Sequence, residues 1–273
     1  MKKFALLLAI PALGFAALNN DSAGPYVDSH GNVWNTLPKL SDYASAAEFD
    51  AAVGHEVFTT RNGDKFQIDR ELTPKEFANA TAMQAATRMM QPRSGSGGAI
   101  QAVVTINLPV DEEYRNAFPN IPTLKSHVIG EVNVCDAALN ANWGINFVPA
   151  SGEAWDSNDS ADIGSLLDEA YSEHGYNGKD MMIALSNDYT PGGAIGIAYI
   201  GWPRQLTKKY GSFEAEIMQH EAGHNYTLYH CCDNGCIMLS YLVASNLGSF
   251  HNYNENCSGQ NHYNVMNNQR NRY

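Results

Sequence analysis

The sequence is most constrained at a run of histidines in its C-terminal third. It reads His220-Glu221-Ala222-Gly223-His224, and a further histidine, His230, follows soon after. Residues four apart lie on the same face of an α-helix, so a helix here places the imidazoles of His220 and His224 side by side. Two histidines in this arrangement can share a metal ion, and the glutamate between them lies close enough to act as a general base.

The third histidine makes a catalytic site the best interpretation of this run. Three protein ligands leave one coordination position for water and substrate, which is typical of catalytic rather than structural zinc. We therefore predict that His220, His224 and His230 bind one zinc ion. We also predict that Glu221 takes a proton from the attacking water and passes it to the leaving amine.

The run resembles the extended motif of the metzincin zinc peptidases, H-E-x-x-H-x-x-G-x-x-H. It differs at one position, because Thr227 stands where that motif has glycine. A residue with a Cβ at this sharp turn has to adopt a left-handed or strained conformation, at a cost on the order of 1–3 kcal/mol. The alternatives are that the turn is made differently or that nearby cysteines hold His230. Met238 falls at the spacing of the metzincin Met-turn, where a methionine packs beneath the zinc ligands.

The likeness extends over roughly residues 100–267 and is greatest to the reprolysin (adamalysin) type, particularly short bacterial enzymes. Besides the motif, it rests on residues 110–114, 144–147 and 196–201. It implies an α/β (α+β) catalytic domain with a twisted mixed sheet, an active-site helix and a small loop-rich C-terminal subdomain.

The same resemblance implies a secreted zinc endopeptidase that acts on extended polypeptides. Such a substrate would add as a strand to the edge of the sheet. The residues that correspond to this edge strand are Gly196, Ile197, Ala198 and Tyr199. A non-catalytic zinc-binding module on the same fold is the alternative function, and a bound calcium ion remains open.

Four of the five cysteines lie near the C-terminus, where an oxidising compartment would let them form two disulfides. The fifth, Cys135, lies in a helical apolar pattern and is predicted to be a buried thiol. The reprolysin-like arrangement implies the pairs Cys231–Cys236 and Cys232–Cys257, with the swapped pairing as an alternative. Archaemetzincins, a second resemblance, use four cysteines for a second zinc. Gln260 stands where that pattern needs the partner of Cys257, which favours disulfides.

The N-terminus predicts export. Lys2 and Lys3 precede a short apolar run, which is typical of a signal peptide over residues 1–17. A retained membrane anchor is the alternative. We expect an extracellular protein, with the periplasm left open, that is monomeric and has no membrane contact after signal removal. The net charge of −12 argues against nucleic-acid binding.

Residues 18–97 are predicted to be a pro-segment with a weak apolar core, and residues 98–273 the catalytic domain. The Gly/Ser-rich stretch 92–98 is a flexible linker suited to proteolysis. An N-terminal subdomain that stays attached is the alternative. No cysteine precedes Cys135, so a cysteine cannot block the metal from this segment. Asn62-Gly63-Asp64 resembles the aspartate switch of astacins, and a plain hairpin turn is the competing interpretation.

Periodicity and turn residues predict the order of elements. The expected helices cover residues 41–53, 73–90, 111–118, 123–140, 163–174, 212–226 and 261–267. The expected strands and apolar runs cover residues 100–108, 143–149, 180–185 and 193–201, and a hairpin covers residues 56–69.

Overall fold

The structure is a computed structural model that describes residues 24–90, 102–159 and 161–273. The predicted signal peptide and the predicted linker at residues 92–98 lie outside the described residues. Within the described ranges, no helix combines the length and the apolar character needed to cross a lipid bilayer.

Residues 24–90, here called the N-terminal segment, contain short strands and two helices. The elements are β1 (Tyr26–Val27), β2 (Val33–Trp34), α1 (Ala46–Val53), β3 (Phe58–Thr59), β4 (Lys65–Phe66), β5 (Asp69–Arg70) and α2 (Pro74–Met90). The first four strands form an antiparallel sheet in the order β2-β1-β3-β4. The predicted hairpin is present, and Gly63 takes the positive φ of 88° that its turn requires. Helix α2 begins with a capping box, because the Thr73 hydroxyl accepts from the Glu76 amide and the Glu76 carboxylate accepts from the Thr73 amide.

The rest of the described chain alternates strands with helices. The elements are β6 (Ala102–Val110), α3 (Glu112–Asn116), α4 (Ile121–Trp143), β7 (Ile145–Ala154), α5 (Ile163–His174), β8 (Met181–Ser186), β9 (Ala194–Ala198), β10 (Arg204–Lys208), α6 (Glu214–Asn225) and α7 (His262–Gln269). The predicted helices and strands of this region are all present, with shifted ends. Strand β10 was not predicted, because its polar residues are not typical of a buried strand. For example, Gln205 is fully buried and its side-chain amide donates to the Met218 carbonyl.

A six-stranded mixed sheet organises the molecule, in the order β5-β9-β10-β8-β6-β7. Strands β7, β6, β8 and β10 are parallel to one another, and β9 pairs antiparallel with β10. The outermost strand beside β9 is β5, which comes from the N-terminal segment and pairs antiparallel with β9. This mixed α/β sheet confirms the predicted fold class.

Both faces of the sheet are covered, which explains why β8 is an unbroken apolar run. One face packs against α4 and α6, with Val132, Met218 and Met238 fully buried between them. The other face packs against α5 and the N-terminal segment. The weak apolar core predicted for that segment was wrong, because its aromatic residues share this second core with the sheet. These aromatic residues are Tyr26, Phe49, Phe58 and Phe66.

Candidate metal centre and active site

Helix α6 carries His220 and His224 on the face turned towards the C-terminal loops. Every residue of this helix is buried. A side chain at position 223 would force Met238 to move, because a Cβ there would overlap Sδ of Met238 and lie 3.0 Å from its Cε. Met238 therefore packs directly against the helix between the two histidines, which is where a Met-turn residue is expected.

The three Nε2 atoms of His220, His224 and His230 form a nearly equilateral triangle. The separations are 3.1 Å between His220 and His224, and 3.2 Å from His230 to each of the other two. Tetrahedral zinc with Zn–N bonds of about 2.0–2.1 Å sets its nitrogen ligands about 3.4 Å apart. The triangle thus has the size that one zinc ion requires. The structure brings the three predicted ligands together.

Each of these histidines is oriented through its other ring nitrogen. The Nδ1 atoms lie 2.7 Å from the Ile237 carbonyl for His220, 2.8 Å from the Leu228 carbonyl for His224 and 2.6 Å from the Gly54 carbonyl for His230. A carbonyl oxygen can only accept, so each Nδ1 carries the hydrogen and each Nε2 presents a lone pair. The carbonyl that orients His230 belongs to the N-terminal segment.

The turn between the second and third histidines is made by Thr227 in a left-handed conformation, with φ at 73°. The strained alternative expected from the sequence is therefore the one that occurs. Gln260 stabilises the turn from both sides, because its side-chain NH2 donates to the Thr227 carbonyl at 3.0 Å and its oxygen accepts from the Tyr229 amide at 2.9 Å. Sequence reasoning missed this role, since Gln260 is distant along the chain.

Glu221 lies on α6 beside the triangle and is fully buried. Its carboxylate accepts no hydrogen bond from the residues that the structure describes. Burial and the negative charge of Asp69 raise the pKa of Glu221 well above its usual value. The cavity that Glu221 shares with His220 and Asp69 has a volume of about 20 Å³, which is room for about one water molecule.

Asp69 of strand β5 is the residue that sequence reasoning did not identify. Its Oδ1 lies 2.9 Å from Nε2 of His220 and 3.0 Å from Nε2 of His230, and its Oδ2 lies 3.9 Å from Nε2 of His224. Burial alone raises the pKa of Asp69, whereas the adjoining imidazoles of His220 and His230, which can take up a proton, hold it well below its usual range. Asp69 thus offers a carboxylate oxygen to the point on which the three imidazoles converge.

The backbone around Asp69 fills the cleft above the histidines. Asp69 pairs with Gly196 on strand β9, and the Glu71 amide donates to the Gly193 carbonyl at 2.8 Å. On the opposite side, the Arg70 amide donates to the Ser240 carbonyl at 3.3 Å. This stretch of the N-terminal segment therefore occupies the position at the sheet edge where strand addition of a substrate is expected.

The predicted edge strand is partly corrected by the structure. Gly196, Ile197 and Ala198 belong to β9, which is the edge of the sheet apart from β5. Tyr199 lies beyond the strand, is fully buried, and donates its hydroxyl to Asp168 at 2.9 Å. Tyr199 thus lies just outside the strand, with its ring in the core, and its part in binding substrate stays a prediction.

The cysteines agree with one of the two predicted pairs and differ from the other. Cys232 and Cys257 form a disulfide, whereas Cys231 and Cys236 are free and buried. The predicted Cys231–Cys236 bridge was wrong, because these two thiols face a pair of imidazoles instead of bonding to each other. Cys135 is a fully buried free thiol in α4.

The part of the chain that carries this site is similar to a known peptidase family. The sequence model described as "Metallo-peptidase family M12", of the reprolysin type, matches residues 101–273. No curated protein matches the chain. Among solved structures, one titled "Structure of a chaperone-substrate complex" is 14% identical with a TM-score of 0.48, and the match covers 64% of this chain and 35% of that one. The crystal structure of metalloproteinase-II from Bacteroides fragilis is 13% identical with a TM-score of 0.42, covering 71% of this chain and 72% of that one.

The family match includes all of α6, the three histidines and the C-terminal loops, and it extends over more than half of the sequence. It confirms the resemblance to reprolysin-type metzincins that the motif predicted. The chain therefore belongs to metallopeptidase family M12, whose members use zinc.

Proposed function

We propose that the chain is a secreted zinc endopeptidase that hydrolyses peptide bonds in extended polypeptides. His220, His224 and His230 hold the zinc ion, and Glu221 is the general base. The observation that carries this proposal is the triangle of three Nε2 lone pairs, 3.1–3.2 Å apart, beside a buried carboxylate. Three protein ligands and an adjacent base suit hydrolysis better than a structural role.

Zinc bound at this triangle supplies Lewis acidity, which polarises a substrate carbonyl and makes water more acidic. Glu221 accepts a proton from the attacking water and then returns it to the leaving nitrogen. Its freedom from other hydrogen bonds leaves both oxygens available for this transfer. The free backbone groups of β9 align the substrate once the N-terminal segment has left the cleft.

A Glu221→Gln variant tests the catalytic proposal. It should keep its zinc, because Glu221 is not a ligand, and its cleavage of casein should fall by about 10²–10⁴-fold, the usual contribution of a general base. Glu173→Gln serves as the matched control, because Glu173 is half exposed on α5 and pairs with His174 rather than with a site residue, and it should cleave normally. Unchanged cleavage by Glu221→Gln would refute the mechanism. A wild-type chain that binds zinc but cleaves nothing after removal of residues 18–97 would instead favour the non-catalytic module.

We infer that residues 18–97 are a pro-segment that keeps the enzyme latent through Asp69. Its Oδ1 lies close enough to His220 and His230 to serve as the fourth zinc ligand in the unprocessed chain. Asp69 then takes the position that water and substrate need. The pairing of Asp69 with Gly196 also fills the sheet edge.

Arg70 anchors this blocking stretch. Its guanidinium group is buried, bonds Asp50 at 2.6 and 2.9 Å and Glu76 at 3.0 Å, and lies 4.7 Å from the ring centre of Tyr241. Tyr241 lies shortly after Met238 in the chain. Arg70 therefore connects the N-terminal segment to the C-terminal side of the cleft. Asp64, the residue suspected from the sequence, bonds Arg204 at 2.7 Å instead and takes no part in the block.

An Asp69→Ala variant tests latency by two readouts. The unprocessed variant should cleave peptides, and a chelator should remove its zinc faster than from the unprocessed wild type, because one ligand is lost. Asp64→Ala is the control and should stay latent. If Asp69→Ala stays inactive while the processed wild type is active, the block does not depend on Asp69. An active secreted protein whose N-terminus lies near residue 18 would show that the segment is a retained subdomain.

A further inference from the structure

Four side chains of types that bind metals converge at a second place, in the C-terminal loops next to His230. They are Cys231, Cys236, His251 and His262, here called the Cys2His2 cluster, and all four are buried. One ligand atom of each lies within 4.8 Å of the others. The Cys236 sulfur lies 3.3 Å from Nδ1 of His262, and the two imidazole rings are 3.9 Å apart between centres.

The orientation of the His251 ring leaves its buried Nε2 with an unused lone pair. Its Nδ1 lies 2.9 Å from the Tyr253 carbonyl and therefore carries the hydrogen. The opposite nitrogen, Nε2, is buried without a hydrogen-bond partner among the described residues. A buried lone pair without a donor is costly, and a histidine that binds metal through one nitrogen usually donates from the other to a carbonyl.

The surrounding backbone holds the cluster in place. The Cys236 amide donates to the Asp233 carbonyl at 3.0 Å, and the Cys231 amide donates to the Met238 carbonyl at 2.9 Å, so the two thiols flank a tight loop. His262 is the first residue of α7. The Cys232–Cys257 disulfide closes the loop that contains both Cys236 and His251.

A Cys231–Cys236 disulfide would leave His251 and His262 unexplained, since two buried imidazoles would then surround an apolar bridge. A tetrahedral metal ion accounts for all four side chains at once, because two thiolates and two imidazoles are a common closed ligand set for zinc. We propose that the Cys2His2 cluster binds a second, structural zinc ion. This inference goes beyond the proposed function and does not depend on catalysis.

The position of this site gives the second zinc a definite role. Cys231 directly follows His230, and Cys236 lies just before Met238. The second zinc therefore fixes both ends of the loop that runs from the third histidine to the Met-turn. In this way it positions His230 without contacting substrate.

The test is a zinc count on the full secreted chain, made in the Glu221→Gln background to prevent self-cleavage. We expect two zinc ions per chain. In this background, Cys236→Ala and His262→Asn should each leave one, His224→Ala should leave one, and Cys236→Ala with His224→Ala should leave none. Cys135→Ala is the matched control, since it removes a buried thiol elsewhere, and it should keep two.

A cobalt-substituted chain keeps the proposal testable if the Cys236 variant does not fold. The three-histidine site contains no thiolate, so thiolate-to-cobalt charge-transfer absorption can come only from the Cys2His2 cluster. We expect this absorption in the fully loaded chain. A single zinc per chain, together with a mass showing two hydrogens lost from Cys231 and Cys236, would overturn the proposal while leaving the catalytic site unaffected. Absence of the absorption at full cobalt loading would overturn it as well.

Discussion

Gly196 of the edge strand lies so close to Glu221 that no side chain fits between them. A Cβ at position 196 would lie 3.0 Å from Cδ of Glu221 and 2.6 Å from Cγ2 of Ile217. We predict that Gly196→Ala displaces either β9 or the general base by several tenths of an ångström or more. Misplacement of about 1 Å can cost about 10²-fold in rate, so kcat/KM of the processed enzyme should fall by roughly 10–100-fold.

Gly130→Ala is the control for this change. Gly130 lies within α4, and a Cβ there has no neighbour within 4 Å. The added methyl group should leave peptide hydrolysis unchanged and raise stability by about 0.5–1 kcal/mol. Normal kcat/KM in Gly196→Ala would mean that the strand and the helix are further apart in the active enzyme.

Thr227 stores strain in the turn that leads to His230. Its φ of 73° is costly for a β-branched residue, by about 1–2 kcal/mol, and glycine recovers most of this. We predict that Thr227→Gly raises the free energy of unfolding by about 1 kcal/mol and Tm by about 2–4 °C, as measured by thermal denaturation. Thr81→Gly makes the same replacement at an exposed position of α2 and should lower stability instead. A lower Tm for Thr227→Gly would show that the threonine side chain is worth more than the strain it causes.

Gln260 holds the same turn through two hydrogen bonds, to the Thr227 carbonyl and the Tyr229 amide. Gln260→Ala leaves both backbone groups without this partner, which should cost about 1–3 kcal/mol of stability. His230 follows at once, so a chelator should remove zinc from the three-histidine site faster than in the wild type. Gln269→Ala, at the end of α7, should behave like the wild type in both measurements. Equal rates of zinc removal in Gln260→Ala and the wild type would show that His230 is held by other contacts.

Arg70 connects the proposed latency to the stability of the chain. Its buried guanidinium group pairs with Asp50 and Glu76, so Arg70→Gln leaves two carboxylates without their cation. We expect a loss of about 1–3 kcal/mol and measurable peptide cleavage by the unprocessed chain, because Asp69 is no longer anchored. Arg61→Gln changes an exposed arginine in the same segment and should leave both properties unaltered. Full latency in a destabilised Arg70→Gln variant would assign the block to Asp69 and the strand pairing alone.

The three histidines at the centre of the site could be predicted because they lie close together in the sequence. Helical spacing places His220 and His224 together, and a short connection brings in His230, so the ligand triangle depends on few long-range contacts. The left-handed turn at Thr227 was also foreseeable, since the chain has to reverse sharply there. The hairpin around Gly63 and the capped start of α2 are local features of the same kind.

The residues that were missed depend on distant contacts. Asp69 reaches the histidines only because β5 pairs with β9 in one register, and a shift of one residue would turn its side chain to the other face of the strand. Sequence reasoning considered Asp64 instead, which lies in a more conspicuous turn. The Cys2His2 cluster was missed for a similar reason. His251 lies in an irregular loop and His262 begins the short helix α7, and nothing in their spacing indicates that they meet Cys231 and Cys236.

The hydrogen bond between His230 and the Gly54 carbonyl makes the N-terminal segment part of the metal site. The N-terminal segment supplies the acceptor that orients the third histidine, and the Gln67 side chain accepts from the His230 amide at 2.7 Å. The same segment carries Asp69. In the unprocessed chain, the segment therefore orients His230 and also covers the three histidines. Under the proposed role of a pro-segment, the contacts that orient the third histidine and the carboxylate that blocks the metal therefore belong to one stretch of chain, so completing the site and blocking it are a single event.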